Sequence, residues 1–416
     1  METPIVAPES VEEPAPPLII IGAGLAGLRA AEGARQAGYS GALMMIGDEE
    51  HPPYDRPPLS KDFITESAPP EVLLRDVDEL TRELDIDLRL GRSAEELDVA
   101  GRRVRVGGEW LSYSSIILAV GHRSRSFRTE RQEQSLYPLR TMADALRLRE
   151  RLDAGAGRLA ILGAGFIGSE LASSARSRGV DVTLLSATPR PLEGALGTQA
   201  ADALVRMHRA HGVDVRLGCT ITEVGASSIV LSDGSEVAAD VVAYGIGGEP
   251  ATEWLAGSGV ELDPGGIVCD EFLRAAPHVY AAGDIVSWPS ELFERRLRSP
   301  HWTPAAEQGA CAGRNAVTDA QEPFDTVPYY WSDVYGKRLQ FVGVASGEEM
   351  VVVHDDLPDG GFLALARSGD RISAACGIAM RRAIVAARRH IRQGTSWSDA
   401  VEELVSDPRS ALVATR

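Results

Sequence analysis

The strongest constraint on this chain is one pattern written twice. Leu18, Ile19, Ile20 and Ile21 form a short apolar run that leads directly into Gly22-Ala23-Gly24-Leu25-Ala26-Gly27. An alanine-rich stretch then reaches Gly38, and a second apolar run, Ala42 to Ile46, is closed by Asp48 and Glu49. An apolar run without alternation is the pattern of a strand buried on both faces of a parallel sheet. Strand, GxGxxG, helix, strand and acid together make the complete dinucleotide-binding unit, not the bare motif. Gly22 permits the tight turn, Gly24 lets the backbone approach a pyrophosphate, and Gly27 lets helix and strand pack closely. The helix N-terminus faces the phosphates. Asp48 or Glu49 would accept a hydrogen bond from the adenosine ribose.

The second copy begins at Arg158 to Leu162 and runs into Gly163-Ala164-Gly165-Phe166-Ile167-Gly168. Ser169 to Arg178 is helical in pattern, Gly179 breaks it, and Val180 to Leu185 is the next strand. A single GxGxxG can serve packing alone. Two, each in full context, imply two bound dinucleotides, and the natural pair is FAD with a nicotinamide. A third segment agrees: Val279 to Asp284 reads as a strand ending in Gly-Asp, where a carboxylate can hold the ribityl hydroxyls that NAD lacks. Ser115 to Gly121 is a further buried-strand pattern, followed by the loop HRSRS.

At 416 residues the chain is too long for one compact core, so two or three domains are expected. A net charge of −18 argues against nucleic acid as a partner, because phosphate binding needs clustered positive charge. No stretch approaches the roughly 20 apolar residues of a membrane helix, so no membrane association is expected. Residues 1–17 have no basic start and no apolar run; they read as a disordered lead-in, not a secretory signal. The four cysteines, Cys219, Cys269, Cys311 and Cys376, stand far apart. That spacing excludes a local CxxC pair and adjacent metal ligands, so no metal is expected. Scattered thiols fit buried structural residues in a reducing cytoplasm.

The segment HPPYDRPPLSKDF, residues 51–63, makes the reading specific, with LRTMADALRLRERL, LAILGAGFIGSELA, VYAAGDI, PAAEQGACAGRNAV and VPYYWSDVYGKRLQFVG after it. On these motifs the chain resembles the FAD-dependent ferredoxin reductases of oxygenase systems, the family of putidaredoxin reductase and the biphenyl dioxygenase reductase component. The match runs from Leu18 to about Arg392. It implies an α/β fold of two Rossmann-like, glutathione-reductase-like domains plus a C-terminal α+β domain. The FAD domain would comprise 18–140 and 246–323, the NAD(P)H domain 141–245, and the C-terminal domain 324–416.

The resemblance also assigns roles. Gly22, Gly24, Ala26 and Gly27 would meet the FAD pyrophosphate, and Asp48 its adenosine. Glu49 and Arg56 join the cofactor set, with Gly163, Gly165, Gly168, Ser186 and Arg190 on the nicotinamide side. Ala94 and Arg140 would touch FAD, Asp284 the ribityl chain, and Trp302 the flavin ring. Lys61 and Glu170 are the catalytic candidates. Lys61 would lie beside the isoalloxazine, where a cation stabilises developing negative charge. Glu170 would face it and the nicotinamide. The bland alternative is an ordinary surface ion pair.

Three departures stand out. NADH-using relatives usually carry an acid at the end of the second unit's strand; here it is Ser186, with Arg190 or Arg176 able to meet a 2′-phosphate. NADH is favoured by family habit, and NADPH stays open as hydride donor. The usual small-Thr-Gly at the flavin edge is Ala119-Val120-Gly121, and Val334 stands where glutamine is usual.

The activity implied is an enzymatic one, NAD(P)H-dependent reduction of a ferredoxin. FAD bridges a two-electron donor and a one-electron acceptor. The segment where disulfide reductases place CxxxxC reads DEEHPPYDRPPLSK. Electrons would therefore leave through the flavin edge, to a [2Fe-2S] ferredoxin serving a haem-thiolate monooxygenase or a ring-hydroxylating dioxygenase. Basic landing sites are expected at Arg381, Arg388 and Arg392 on one helix face, at Arg295 to Arg298, or at Lys337-Arg338. The rival readings are an oxidase or peroxidase, a nicotinamide-controlled FAD protein of apoptosis-inducing-factor type, and a small-radical reductase. A monomer is the default.

Overall fold

The computed structural model describes residues 15–129, 131–133, 135–345, 350–357 and 359–406; most of the expected lead-in, residues 1–14, lies outside them. The first glycine unit comprises β1 (Leu18–Ile21), α1 (Leu25–Gln36), β2 (Leu43–Ile46), β3 (Ile86–Arg89) and β4 (Ser115–Leu118). β1 lies between β2 and β4, parallel to both, so its apolar run meets side chains on every side. None of its four residues is more than 3% exposed. Their burial stabilises the sheet by at most about 6–12 kcal/mol against an extended chain. The strand Val279–Ala281 pairs parallel with β4, and Arg274–Ala276 closes that edge antiparallel. The chain thus returns to complete its first sheet only after building a second.

That second unit contains β5 (Arg158–Leu162), α2 (Phe166–Ser177), β6 (Asp181–Ser186) and α3 (Thr198–Ala210). Its sheet order is Leu136–Pro138, Val241–Tyr244, β5, β6, Asp214–Leu217, and every pairing is parallel. Leu136–Pro138, which the sequence reading places in the first domain, therefore belongs to the second sheet. Three half-buried residues ending in proline carry no strand signature of their own, so only the pairing reveals it.

Helix α4 (Trp302–Asn315) returns to the first unit and lies on α1. A Cβ at Gly309 would stand 2.3 Å from the Ala26 carbonyl oxygen, and one at Gly313 only 2.0 Å from that of Ala30. From the other side, a Cβ at Gly33 would meet the Ala310 carbonyl oxygen at 2.4 Å. The small residues of α1 thus serve backbone-to-backbone contact.

The C-terminal domain opens with a hairpin, β7 (Tyr329–Val334) and β8 (Lys337–Gly343). Its two-residue tip, Tyr335 and Gly336, has φ of 51° and 72°, the geometry that matches strand twist. Arg371–Ile378, Phe362–Ser368 and Val351–Asp355 complete an antiparallel sheet. Helix α5 (Arg381–Gln393) covers one face with Ala383, Ile384, Ala387 and Ile391. The other face receives α3 of the second unit, where Leu204 and Met207 pack with Tyr330, Phe341 and Phe362. This α+β cap is consequently seated on the second dinucleotide unit, with β7 turned toward both glycine loops.

Candidate active site: one cleft between two glycine loops and the hairpin

A cavity of about 550 Å³ joins the first glycine loop, the second glycine loop and β7. That is within the usual size of a cofactor or ligand site. The glycines divide by what surrounds them. Gly22 has φ 115°, and its Cβ would fall 2.2 Å from the Ala119 carbonyl oxygen; Gly27 and Gly168 are each pressed to 1.9 Å against their own loop. These serve packing. Gly24 has nothing within 4 Å of a Cβ, and Gly165 only the Gly245 carbonyl oxygen at 3.9 Å, yet both line the cavity. The protein itself does not require glycine at either position; a phosphate chain laid against the backbone does. Both cradles therefore fit a dinucleotide.

At the end of β2, Asp48 is exposed at the cavity rim. Glu49 accepts hydrogen bonds from the Tyr54 hydroxyl and Arg56 Nη2, both at 2.7 Å, while Arg56 Nη1 also donates to the Arg140 carbonyl at 2.9 Å. Asp284 accepts from Arg140 Nη2 at 3.1 Å and lies 3.2 Å from His122 Nδ1. Arg298 Nη1 lies 2.7 Å from His122 Nε2. Because a guanidinium only donates, Nε2 is the acceptor and the His122 proton sits on Nδ1, facing Asp284. Burial alone would raise the Asp284 pKa. The His122 hydrogen bond and the Arg140 charge overcome it and hold the carboxyl well below its usual range.

Lys61 and Glu170 form the centre of the wall. Lys61 Nζ lies 2.9 Å from Glu170 Oε1 and donates to the Pro57 carbonyl at 3.1 Å. Glu170 Oε2 accepts from Ser60 Oγ at 2.5 Å, and Oε1 accepts from Ser332 Oγ at 2.8 Å and the Asp333 amide at 3.2 Å. The two side chains are only 15% and 7% exposed, so this is a buried, fully partnered pair and not a surface ion pair. Three domains converge on one carboxylate.

Trp302 donates to Asp55 at 2.7 Å and meets Trp331 edge-on at 5.9 Å. His301 stacks on Tyr330 at 4.0 Å, and burial pushes its pKa down to about 4, leaving a neutral ring in the wall. His122, Arg298, His301, Tyr330 and Trp331 were not legible in the sequence as site residues. The loop HRSRS, following a buried-strand pattern, held His122, the basic run at 295–298 held Arg298 in another role, and Tyr330 and Trp331 stood in a family motif without a role.

Other sequence candidates stand apart from the wall. Ala94 opens a strand packed against the first core. Ser186 is buried at the end of β6, 3.0 Å from the Thr188 hydroxyl. Arg190 lies beyond it, in ion pairs with Asp202 at 3.3 Å and Glu193 at 3.8 Å. Arg176 donates to the carbonyls of Val180 and His211 and pairs with Asp181 at 3.1 Å. Val334 is a core residue beside Leu339 and Phe341. Among the described residues, the cavity wall includes no cysteine, and no group of three or more His, Cys, Asp or Glu is arranged to hold a metal. Cys269, Cys311 and Cys376 are buried, and desolvation raises the pKa of each.

The basic runs are unequally available. Arg296 is tied to the Ser287 and Cys269 carbonyls, Lys337 to those of Asp359 and Gly360, and Arg338 to Asp333. On α5, Arg388, Arg389 and Arg392 surround the exposed Val385 in one shallow depression. Arg381, on the face expected from spacing, is exposed but lies outside that depression. Arg388 pairs with Glu307 at 3.3 Å and covers the Tyr329 ring; Arg389 pairs with Glu403. No helix among the described residues is long and apolar enough to cross a membrane.

Residues 16–309 match the family model for pyridine nucleotide-disulphide oxidoreductases, and 329–415 match the reductase C-terminal model. The ferredoxin–NAD(+) reductase component of the anthranilate 1,2-dioxygenase system of Burkholderia cepacia is 35% identical over 91% of this chain and 95% of its own. Human apoptosis-inducing factor 3 is 32% identical over 86% of this chain, which spans 60% of that protein. The crystal structure of the covalent putidaredoxin reductase–putidaredoxin complex superposes with a TM-score of 0.85 at 27% identity, covering 95% of this chain and 100% of that one. The chain belongs to the pyridine nucleotide-disulphide oxidoreductases, in the branch that carries a reductase C-terminal domain and includes the ferredoxin reductase components of oxygenase systems.

Proposed function

We propose that the protein is an NADH-dependent ferredoxin reductase, holding FAD in the first cradle and receiving the nicotinamide from the second. FAD supplies the chemistry of accepting a hydride and releasing its electrons one at a time. The observation that carries the reading is the buried Lys61–Glu170 pair in a cleft that unites both glycine loops and, among the described residues, has no thiol in its wall.

Each residue has a defined task. Glu170, saturated by its donors, holds Lys61 Nζ in place as a fixed cation at the reacting edge. Asp284, oriented by His122 and Arg140, presents a carboxylate to the ribityl hydroxyls. Asp48 faces the adenosine ribose. Trp302 and Trp331 exclude water from the edge opposite the nicotinamide. Beyond them Tyr329 stacks on Trp331 at 5.9 Å, and Arg388 lies over Tyr329. This aromatic ladder leads from the cleft to the arginines of α5, a landing site for an acidic [2Fe-2S] ferredoxin that serves a monooxygenase or ring-hydroxylating dioxygenase. NADH is taken as the donor because Asp202 and Glu193 pair with Arg190, a cation that would otherwise be open to a 2′-phosphate.

Anaerobic titration of the FAD-loaded protein with NADH, followed by addition of a [2Fe-2S] ferredoxin, tests this reading. Rapid bleaching of the flavin band and transfer to the ferredoxin are expected, with NADPH slower. Bleaching that is slow with both nucleotides would replace the reading with nicotinamide-controlled binding. A protein that retains no FAD would end it.

A further inference from the structure

Behind the Lys61–Glu170 pair, the tip of the β7–β8 hairpin is fastened into the second unit by a buried polar chain. Tyr335 donates its amide to Ser173 Oγ at 2.7 Å. Its hydroxyl lies 2.6 Å from His208 Nδ1, and His208 Nε2 lies 3.1 Å from Ser169 Oγ. His211 stacks flat on the Tyr335 ring at 3.9 Å. Ser169 and Ser173 flank Glu170 on α2, and the same hairpin supplies two of the four donors that fix the Glu170 carboxylate.

Adhesion does not require this chain. Leu204 and Met207 of α3 already pack against the C-terminal sheet through apolar contacts. Ser169 and His208 are each 1% exposed, and a buried polar group is costly unless every partner is in place. Burial holds the His208 pKa down to about 4, so the imidazole is neutral, with one donor and one acceptor nitrogen. Each nitrogen meets one hydroxyl. What the chain adds is direction: it sets the register of the hairpin against α2, and hence where Glu170 points.

We infer that His208 and Tyr335 are positioning residues for hydride transfer, acting through the Ser169–His208–Tyr335 chain to hold Glu170 against Lys61. The inference rests on the NADH-to-FAD reading above. Misplacing a reacting group by about 1 Å from a distance costs up to about a hundredfold in rate.

The test uses FAD-loaded Tyr335→Phe, Ser169→Ala, His208→Leu and His208→Gln, with two half-reactions read separately. One is flavin bleaching at saturating NADH in anaerobic stopped flow; the other is reoxidation of photoreduced enzyme by ferricyanide. Tyr335→Phe and His208→Leu are expected to slow bleaching by about ten- to a hundredfold while ferricyanide reoxidation stays within about twofold. His208→Gln recovers part of the rate. Combining Ser169→Ala with Tyr335→Phe is no slower than the worse single variant, because both cut one chain. Wild-type bleaching in Tyr335→Phe and Ser169→Ala overturns the inference, as does equal slowing of both half-reactions. Failure of NADH to bleach the wild-type protein would instead sink the functional reading.

Discussion

The two dinucleotide units have closely matching loops and very different helix neighbours. Gly22 and Gly163 have φ of 115° and 101°, and a Cβ at Gly27 or Gly168 would stand 1.9 Å from the carbonyl oxygen of the first glycine of its own loop. Yet α1 is pressed against α4 backbone to backbone through Gly33, Gly309 and Gly313, whereas α2 adds hydroxyl and carboxylate bonds to the apolar packing of Leu171, Ala172 and Ala175. Ser174 of α2 donates to the Ser60 carbonyl at 2.7 Å, alongside the bonds of Ser169, Glu170 and Ser173. Close apolar approach tolerates no displacement, which suits a resident cofactor. Directional bonds can be broken and remade, which suits a donor that must enter and leave.

Breaking the first kind of contact should have the largest effect. Gly313→Val places a branched side chain into the Ala30 carbonyl and is expected to destabilise the protein by about 3 kcal/mol or more, with loss of FAD. Ser174→Ala, at the equivalent kind of junction in the second unit, should cost only about 1 kcal/mol. Urea unfolding with FAD retention as a second readout checks both; equal costs would erase the distinction.

Acid probes both units at once, since each contains a neutral histidine, half-buried in the first and buried at the second. His301 in the first and His208 at the second both have folded pKa values near 4, below the ordinary 6.5, because burial opposes their charged forms. The unfolded chain therefore takes up protons first. Stability is fully present above about pH 6.5 and is lost as pH falls toward 4, by up to about 3 kcal/mol per histidine. Urea midpoints between pH 7 and 4.5 should show this slope, and His208→Gln should flatten it; an unchanged slope would remove His208 from the account. The smallest effect concerns the exchanging ligand. Asp202→Asn removes one of the two carboxylates paired with Arg190 and should raise kcat/KM for NADPH by about threefold with little change for NADH, read in steady-state assays.

What was legible in the sequence was whatever stands in contiguous motifs. The glycine units and Asp284 stand in unbroken stretches whose chemistry is local, Lys61, Glu170 and Trp302 were assigned by the family resemblance of their stretches, and the cleft brings these four side chains together with Gly24 and Gly165. His122 and Arg298 were not legible because they are 176 residues apart and become a relay only when separate loops meet. The arginine runs misled in the opposite sense. Adjacent basic residues look alike in a sequence, yet Arg296, within the strand Arg295–Leu297, satisfies backbone carbonyls while Arg298, just past its end, faces the cleft. Small residues in α1 were read as helix formers, and their packing partner in α4 is visible only in three dimensions.

The interrupted first sheet has a consequence for how the chain emerges from the ribosome. All five strands of the second sheet lie between Leu136 and Tyr244, so that sheet has all its strands once Tyr244 is free of the exit tunnel. The first unit begins earlier but must wait for Val279–Ala281 and for α4 before its edge and its glycine contacts close. Domains fold as units during synthesis. The later-encoded sheet is thus the first whose strands are all available, and the first sheet is completed afterwards, before the hairpin cap is laid over both.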